Sequence, residues 1–297
     1  MGWLKMNMIK TNSLTKFYGK YKGIENLDLT IKKGEIFGFI GPNGAGKSTT
    51  IRILLSLIYP SSGTAFIDGS DCIKEGKSIK QMLGYTPSEV NYYDDMTVKE
   101  LFEYSARFHK KDCSSRAKEL SERLELDTSK KIKSLSFGNK KKVAIIQALQ
   151  HEPELLIFDE PTGGLDPLIQ NKFFDILEEE KSKGKTILFS SHILSEVQRV
   201  CDRVAIIRDG SILKVENVDT LRNNNFKKVQ VTYGNAIPPL NIKGIYNYRK
   251  EHSKIDFLYS GDINDLLKLL ASDKVENVSI SEPSLEDIFL HYYEKGE

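Results

Sequence analysis

The chain has 297 residues, 39% hydrophobic and 28% charged, with 43 Lys and Arg against 41 Asp and Glu for a net charge of +2. This composition suits a folded globular protein with one large and one small domain, and its near-neutral balance does not argue for a nucleic-acid partner. No apolar run approaches the ~18 residues a membrane span needs, and Cys72, Cys113 and Cys201, scattered without Cys-x-x-Cys spacing, point to a reduced compartment rather than a disulfide framework or zinc site.

The opening MGWLKMNMIK has neither a long apolar run nor a small-residue cleavage site, so no signal peptide is expected; Met1, Met6 and Met8 each offer a start. To about residue 70, β-rich runs alternate with turns, in GIENLDLTI, EIFGFI and SSGTAFIDG. Residues 75–150 change character. TVKELFEYSARFHK and SSRAKELSERLEL show helical periodicity, with Val98, Leu101, Phe102 and Ser105 on one face, and a helical insert is expected over about 88–150. Parallel-sheet signals then return: strand PELLIFDEP, helix PLIQNKFFDILEEEKSKG, strand KTILFSSH, helix ILSEVQRVC and strand DRVAIIRDG. Strands alternating with helices of this length imply a wound α/β sheet. The polar, asparagine-rich VENVDTLRNNNFKK reads as a boundary, giving expected domains 1–220 and 221–297. In the second, KKVQVTYG, IKGIYNY, KIDFLYSG and VENVSISE read as strands, INDLLKLLAS as a helix, and Pro283 opens a last helix. That pattern is a small α+β domain.

Three segments carry chemistry. GPNGAGKST, Gly41–Thr49, has the G-x-x-x-x-G-K-[ST] spacing after a strand and before a helix. Its glycines let backbone wrap phosphates, and the following helix adds amide donors and a favourable dipole. Lys47 would neutralise the β- and γ-phosphates, and the Ser48 hydroxyl would bind Mg²⁺. ELLIFDEP ends a buried strand in two adjacent carboxylates. Neighbouring strand residues point apart, so Asp159 would orient Mg²⁺ through water while Glu160 acts as general base. Downstream lie Asp166 in GGLDP and His192 at the end of TILFSSH, a histidine able to hold a γ-phosphate and the attacking water. SLSFGNKKKV (134–143) begins another helix. Lysines in a first helical turn oppose the macrodipole, so Lys140–Lys142 are not there for helix stability, and Lys141 and Lys142 are expected on a solvated face.

Taken in order, the loop at 41–48, LSFGN, LLIFDE, GLDP and His192 resemble the ATP-binding cassette (ABC) family of ATPases over about residues 8–215. The resemblance implies an α/β fold: a P-loop NTPase, ABC-type nucleotide-binding domain with its helical insert. It implies that ATP contacts Tyr18, through its adenine, and Gly41, Pro42, Asn43, Gly44, Ala45, Gly46, Lys47, Ser48, Thr49, Asp159 and Asp166. Leu135, Ser136, Gly138 and Asn139 would close over an ATP held by a second ABC ATP-binding domain, in a homodimer or heterodimer. Glu160, His192 and Lys47 would be catalytic, and Ser48 and Asp159 would hold the metal. The chain departs from the family pattern at Phe137 for glycine, Asn139 for glutamine and Ser88 for glutamine or glutamate, with Glu89 adjacent to Ser88.

The second domain and the SSHILSEVQRVCDRVAIIRDG stretch look like the ATPase subunits of bacterial drug and sodium exporters, those of the bacitracin-resistance type nearest. Such a subunit partners a separate transmembrane permease and sits in the cytoplasm on the inner face of the cell membrane, with no nucleic acid. A permease helix would dock near residues 88–105, with Tyr92, Tyr93 and Met96 as contacts. Two other readings stay open: a soluble non-transport ABC ATPase, and a degenerate cassette that binds ATP without turnover.

Overall fold

The computed structural model describes residues 7–281 and 283, apart from 94, 220–225, 235–236, 238, 241 and 272–274. The chain divides into two compact units, 1–217 and 218–297. The first runs β1 (Asn7–Tyr18), β2 (Tyr21–Leu27), β3 (Thr30–Lys32), β4 (Ile36–Ile40), α1 (Lys47–Leu54), β5 (Ser62–Ile67), β6 (Ser70–Asp71), α2 (Gly76–Ile79) and β7 (Leu83–Thr86). It continues through α3 (Val98–His109), α4 (Ser114–Arg123), α5 (Phe137–Leu149), β8 (Leu155–Asp159), α6 (Pro167–Ser182), β9 (Thr186–Ser191), α7 (Leu194–Val200), β10 (Arg203–Arg208) and β11 (Ser211–Asn217).

The uninterrupted apolar runs become the centre of a sheet ordered β11-β10-β4-β9-β8-β7, parallel throughout except at the edge strand β11. β4, β8 and β9 are buried at every position, as strands covered on both faces must be. Successive residues serve opposite faces. Phe37, Phe39, Leu155, Ile157 and Leu188 form one core with Ile51 and Leu54 of α1 and with Ile9, Leu14 and Ile67 of a second, mainly antiparallel sheet. Toward α6, Phe158 meets Phe173 and Phe189 meets Phe174 edge-on, with centroids 5.2 and 6.2 Å apart.

That second sheet is ordered β2-β1-β5-β6, with β3 also on β1. The sequence reading passes over β1, its longest strand. Register shifts near Leu14, Lys16 and Phe17 break the period-two pattern that marks a strand. In the insert, α3 opens with a capping box between Thr97 and Glu100 and buries Val98, Leu101, Phe102 and Ser105, the expected face. α5 lies against β7, where Thr86 Oγ1 donates to the Ala144 carbonyl at 3.3 Å. One expectation is corrected here. Lys141 and Lys142 are not solvated but 1% and 8% exposed, because α5 is covered on nearly all sides. Cys72, Cys113 and Cys201 are buried free thiols, and burial pushes Cys72 up to about 12.

The second unit is an antiparallel sheet of β12 (Phe226–Tyr233), β13 (Ile245–Glu251), β14 (Lys254–Ser260) and β15 (Val275–Ser281), ordered β13-β14-β12-β15. Val229, Val231 and Tyr233 of β12 join Ile255, Phe257 and Tyr259 of β14, alternate residues on one face, in a core closed by Leu266 and Leu270 of α8 (Ile263–Ala271), while Leu258 of β14 is buried on the other face. The helix expected after Pro283 lies outside the described residues. Among the described residues, no helix is long and apolar enough to cross a membrane.

Phe173 is fully buried against Phe158, so Phe173→Ala should destabilise the chain by about 3–5 kcal/mol in urea unfolding. A loss under about 1 kcal/mol would mean that α6 does not hold the sheet this way.

Candidate active site

The carboxyl ends of β4, β9 and β8, adjacent in the sheet, deliver the chemistry-bearing residues to one rim. Between β4 and α1 the loop Gly41–Gly46 turns sharply. A Cβ on Gly41 would collide with the Ile207 carbonyl, and Gly46 caps α1 with φ of 109°, a conformation open to glycine. No side chain caps α1 and its first turn holds no acidic residue, so its N-terminal amides are left for a ligand. Lys47 is 5% exposed, and its ammonium donates to the carbonyls of Gly41 at 2.7 Å and Pro42 at 3.2 Å. Asn43 and Gly44 are exposed, Ala45 is buried, and Ser48 and Thr49 are half-buried on the first turn of α1.

Glu160 joins these pieces. Its Oε1 lies 3.3 Å from Lys47 Nζ, and its Oε2 lies 2.9 Å from His192 Nδ1. To reach both, the residue leaves β8 with φ of 49°, an uncommon conformation for glutamate that costs about 1 kcal/mol. Its amide donates to the Ser190 carbonyl at 3.1 Å, which holds the turn. Asp159 is 2% exposed and accepts a 2.6 Å bond from Ser190 Oγ. The turn bearing His192 is pinned in its own way: Ser191 Oγ donates to Glu196 at 2.6 Å and accepts from the Ile193 amide at 2.9 Å.

Tyr18, at the end of β1, is 44% exposed with Lys16 Nζ 5.3 Å from its ring centroid. Gly23 sits between the Tyr18 ring and the Thr49 methyl, so the tyrosine flanks the phosphate loop.

The ABC transporter family matches residues 24–163. The bacitracin transport ATP-binding protein BcrA of Bacillus licheniformis is 37% identical over 295 residues, covering 95% of this chain and 96% of the relative. The chain belongs to the ABC transporter family. It is an ABC ATP-binding subunit and an ATPase, related to drug-resistance exporters. Two solved structures of one bacterial ABC cassette are similar to it. The dimeric structure shares 27% identity with a TM-score of 0.66, covering 71% of this chain and 99% of that one. The dimeric post-hydrolysis state with ADP and Pi shares 26% with a TM-score of 0.65 and covers 71% of this chain and 99% of that one.

The LSFGN segment, Leu135–Asn139, leads into α5. Leu135 is buried, while Ser136 is exposed and caps the helix by accepting from the Asn139 amide at 3.3 Å. A Cβ on Gly138 would collide with the Gly164 carbonyl, and the Phe137 ring, 59% exposed, stands against Gly164. Asp166 caps α6, its Oδ1 accepting from the Ile169 amide at 3.0 Å. That cap is a structural duty the sequence reading did not assign to it. Two side chains with clear duties here were also missed. Ser190 grips both carboxylate residues, signalled only by a hydroxyl near the end of an apolar strand. Lys141 donates to the Pro87 and Ser88 carbonyls.

Within the insert, Tyr92, Tyr93, Leu101, Tyr104 and Phe108 line a groove of about 470 Å³. Met96 is not among its lining residues; its carbonyl accepts from the Ile132 amide instead.

The donor set fits Mg²⁺. A buried carboxylate with one hydroxyl donor keeps most of its charge for a cation. Among the described residues no group of three His, Cys, Asp or Glu is arranged to hold a metal ion. Ser190→Ala should cost about 1–3 kcal/mol in urea unfolding by orphaning the buried Asp159 carboxylate. Unchanged stability would show that the serine does not carry it.

Proposed function

We propose that the chain binds Mg²⁺-ATP at Gly41–Thr49 and, paired head to tail with a second ABC ATP-binding domain, powers a separate exporter permease through ATP-driven closure and hydrolysis. The observation that carries this is the Lys47–Glu160–His192 contact, which gathers ammonium, carboxylate and imidazole at the mouth of the phosphate loop.

ATP phosphates compete for the Lys47 ammonium with the Gly41 and Pro42 carbonyls and with Glu160. Once the lysine turns to phosphate, Glu160 is released to accept a proton from the attacking water, and His192 holds that water and the γ-phosphate in line. Ser48, and Asp159 through water, would hold Mg²⁺, which would supply charge neutralisation at the phosphates. Tyr18 stacks on adenine. Ser136 and the amides at Gly138 and Asn139, at the start of α5, donate to the ATP of the opposite subunit. The dimeric cassettes among similar structures support pairing, and the relative named for bacitracin transport supports a permease of the drug-resistance branch. The permease's cytoplasmic helix docks in the groove at Tyr92 and Tyr93, where Tyr93 and Phe108 are 67% and 66% exposed. This arrangement puts the chain in the cytoplasm, on the inner face of the cell membrane. Residues 1–220 form the ATP-binding domain and 221–297 an accessory one.

Glu160→Gln should lower phosphate release about 100-fold or more and leave an ATP-dependent dimer in size-exclusion chromatography. An unchanged rate with no ATP-driven dimer would overturn the assignment. Lys47→Ala should weaken ATP about tenfold or more by calorimetry, since a charge-assisted contact is lost. Equal affinity would remove the phosphate-loop role.

A further inference from the structure

Lys141 breaks the rule that buried helix positions are apolar. On the second turn of α5 it is 1% exposed, and its ammonium donates to the Pro87 carbonyl at 3.0 Å and the Ser88 carbonyl at 2.7 Å. Burial lowers its pKa, while the charges of Asp159 and Glu160 oppose that shift. The ammonium therefore lies within the field of the catalytic carboxylates as well as against the loop. A buried cation is costly to keep, and a leucine or methionine would fill the space without that cost. The carbonyls it grips belong to the loop after β7, the strand paired with β8, which ends at Asp159. At this loop the chain has Ser88 where the family has a longer amide, so Ser88 itself reaches less far toward the metal and water.

We infer that Lys141 is a positioning residue, holding the Pro87–Ser88 loop beside the Asp159–Glu160 pair and tying it to the helix that begins with Ser136 and Gly138. The inference deepens the proposed head-to-tail mechanism and rests on it in one respect. In that mechanism the Pro87–Ser88 loop, which follows the β7 register beside Asp159, would face this subunit's own ATP, whereas Ser136 and Gly138 would close over the opposite one. A displacement of the loop is then passed along α5 to the second site, through two hydrogen bonds from one ammonium. Tyr92 and Tyr93 of the docking groove follow this loop closely in the chain.

The test compares the full-length wild type with Lys141→Met and Lys141→Arg in steady-state ATPase assays across ATP concentration. Calorimetric ATP affinity serves as the check on folding. Lys141→Met should lower kcat about tenfold while KM stays within about twofold, the mark of a displaced catalytic geometry rather than a damaged binding site. Lys141→Arg, which keeps the donors and the charge, should recover most of kcat. A wild-type kcat in Lys141→Met, or an equal loss in both variants with KM raised in step, overturns the inference. Should the methionine variant fail to fold, Lys141→Gln, with one amide donor group and no charge, is read by the same kcat and KM criteria. The dimer is read separately. In the Glu160→Gln background, absence of an ATP-driven dimer counts against head-to-tail pairing. A dimer that forms with Lys141 intact but weakens about tenfold on Lys141→Met supports the tie between the sites, and equal dimerisation with either side chain counts against it.

Discussion

Glu160 must be held where it can be released. Its carboxylate sits between the Lys47 ammonium and the His192 imidazole, and each partner comes from a different element: the start of α1, and the residue after β9. The contact exists because β4, β9 and β8 are neighbours in a parallel sheet and all end at the same rim. Phosphate-loop lysine, histidine and carboxylate are thus brought together by strand order, although more than a hundred residues separate Lys47 from Glu160 in the chain. Much of the remaining architecture serves that order. The aromatic pairs under α6 and the core shared with α1 fix the two faces of the sheet, and Ser190 fixes the turn at its edge.

The strands of the parallel sheet were legible because burial on both faces leaves an unbroken apolar run, as in ELLIF and TILF. The glycine loop was legible because its spacing is set by phosphate geometry rather than by packing. What escaped reading depends on contacts distant in sequence. β1 lacks a clean period because its register shifts as it pairs with β2, β3 and β5. The lysine run reads as a solvated face since nothing local says that residues 87 and 88 lie over it, some fifty positions upstream. Asp166 was assigned to nucleotide from family order, and its cap on the Ile169 amide is visible only once α6 is known to start at Pro167. Met96 was expected to share the permease contact with Tyr92 and Tyr93, but those tyrosines form the groove with residues of α3 one turn apart, Leu101, Tyr104, Ser105 and Phe108, and Met96 does not line it.

Phe137, where LSFGN departs from the family pattern, is accommodated within the chain itself. Its ring stands against Gly164, whose backbone has φ of 79° and whose missing side chain leaves the space that the ring takes. Gly138 meets the Gly164 carbonyl in turn, so the start of α5 and the GGLDP loop are packed backbone to backbone. This contact places the bulk of the phenylalanine on the loop rather than over Ser136 and the first amides of α5, whose donors stay at the exposed helix end. The same loop leads into Asp166 and α6, the helix that carries Phe173 and Phe174 onto the sheet. A Cβ at 164 would meet the Phe137 ring, so any residue larger than glycine there would have to displace that ring and, with it, the first turn of α5.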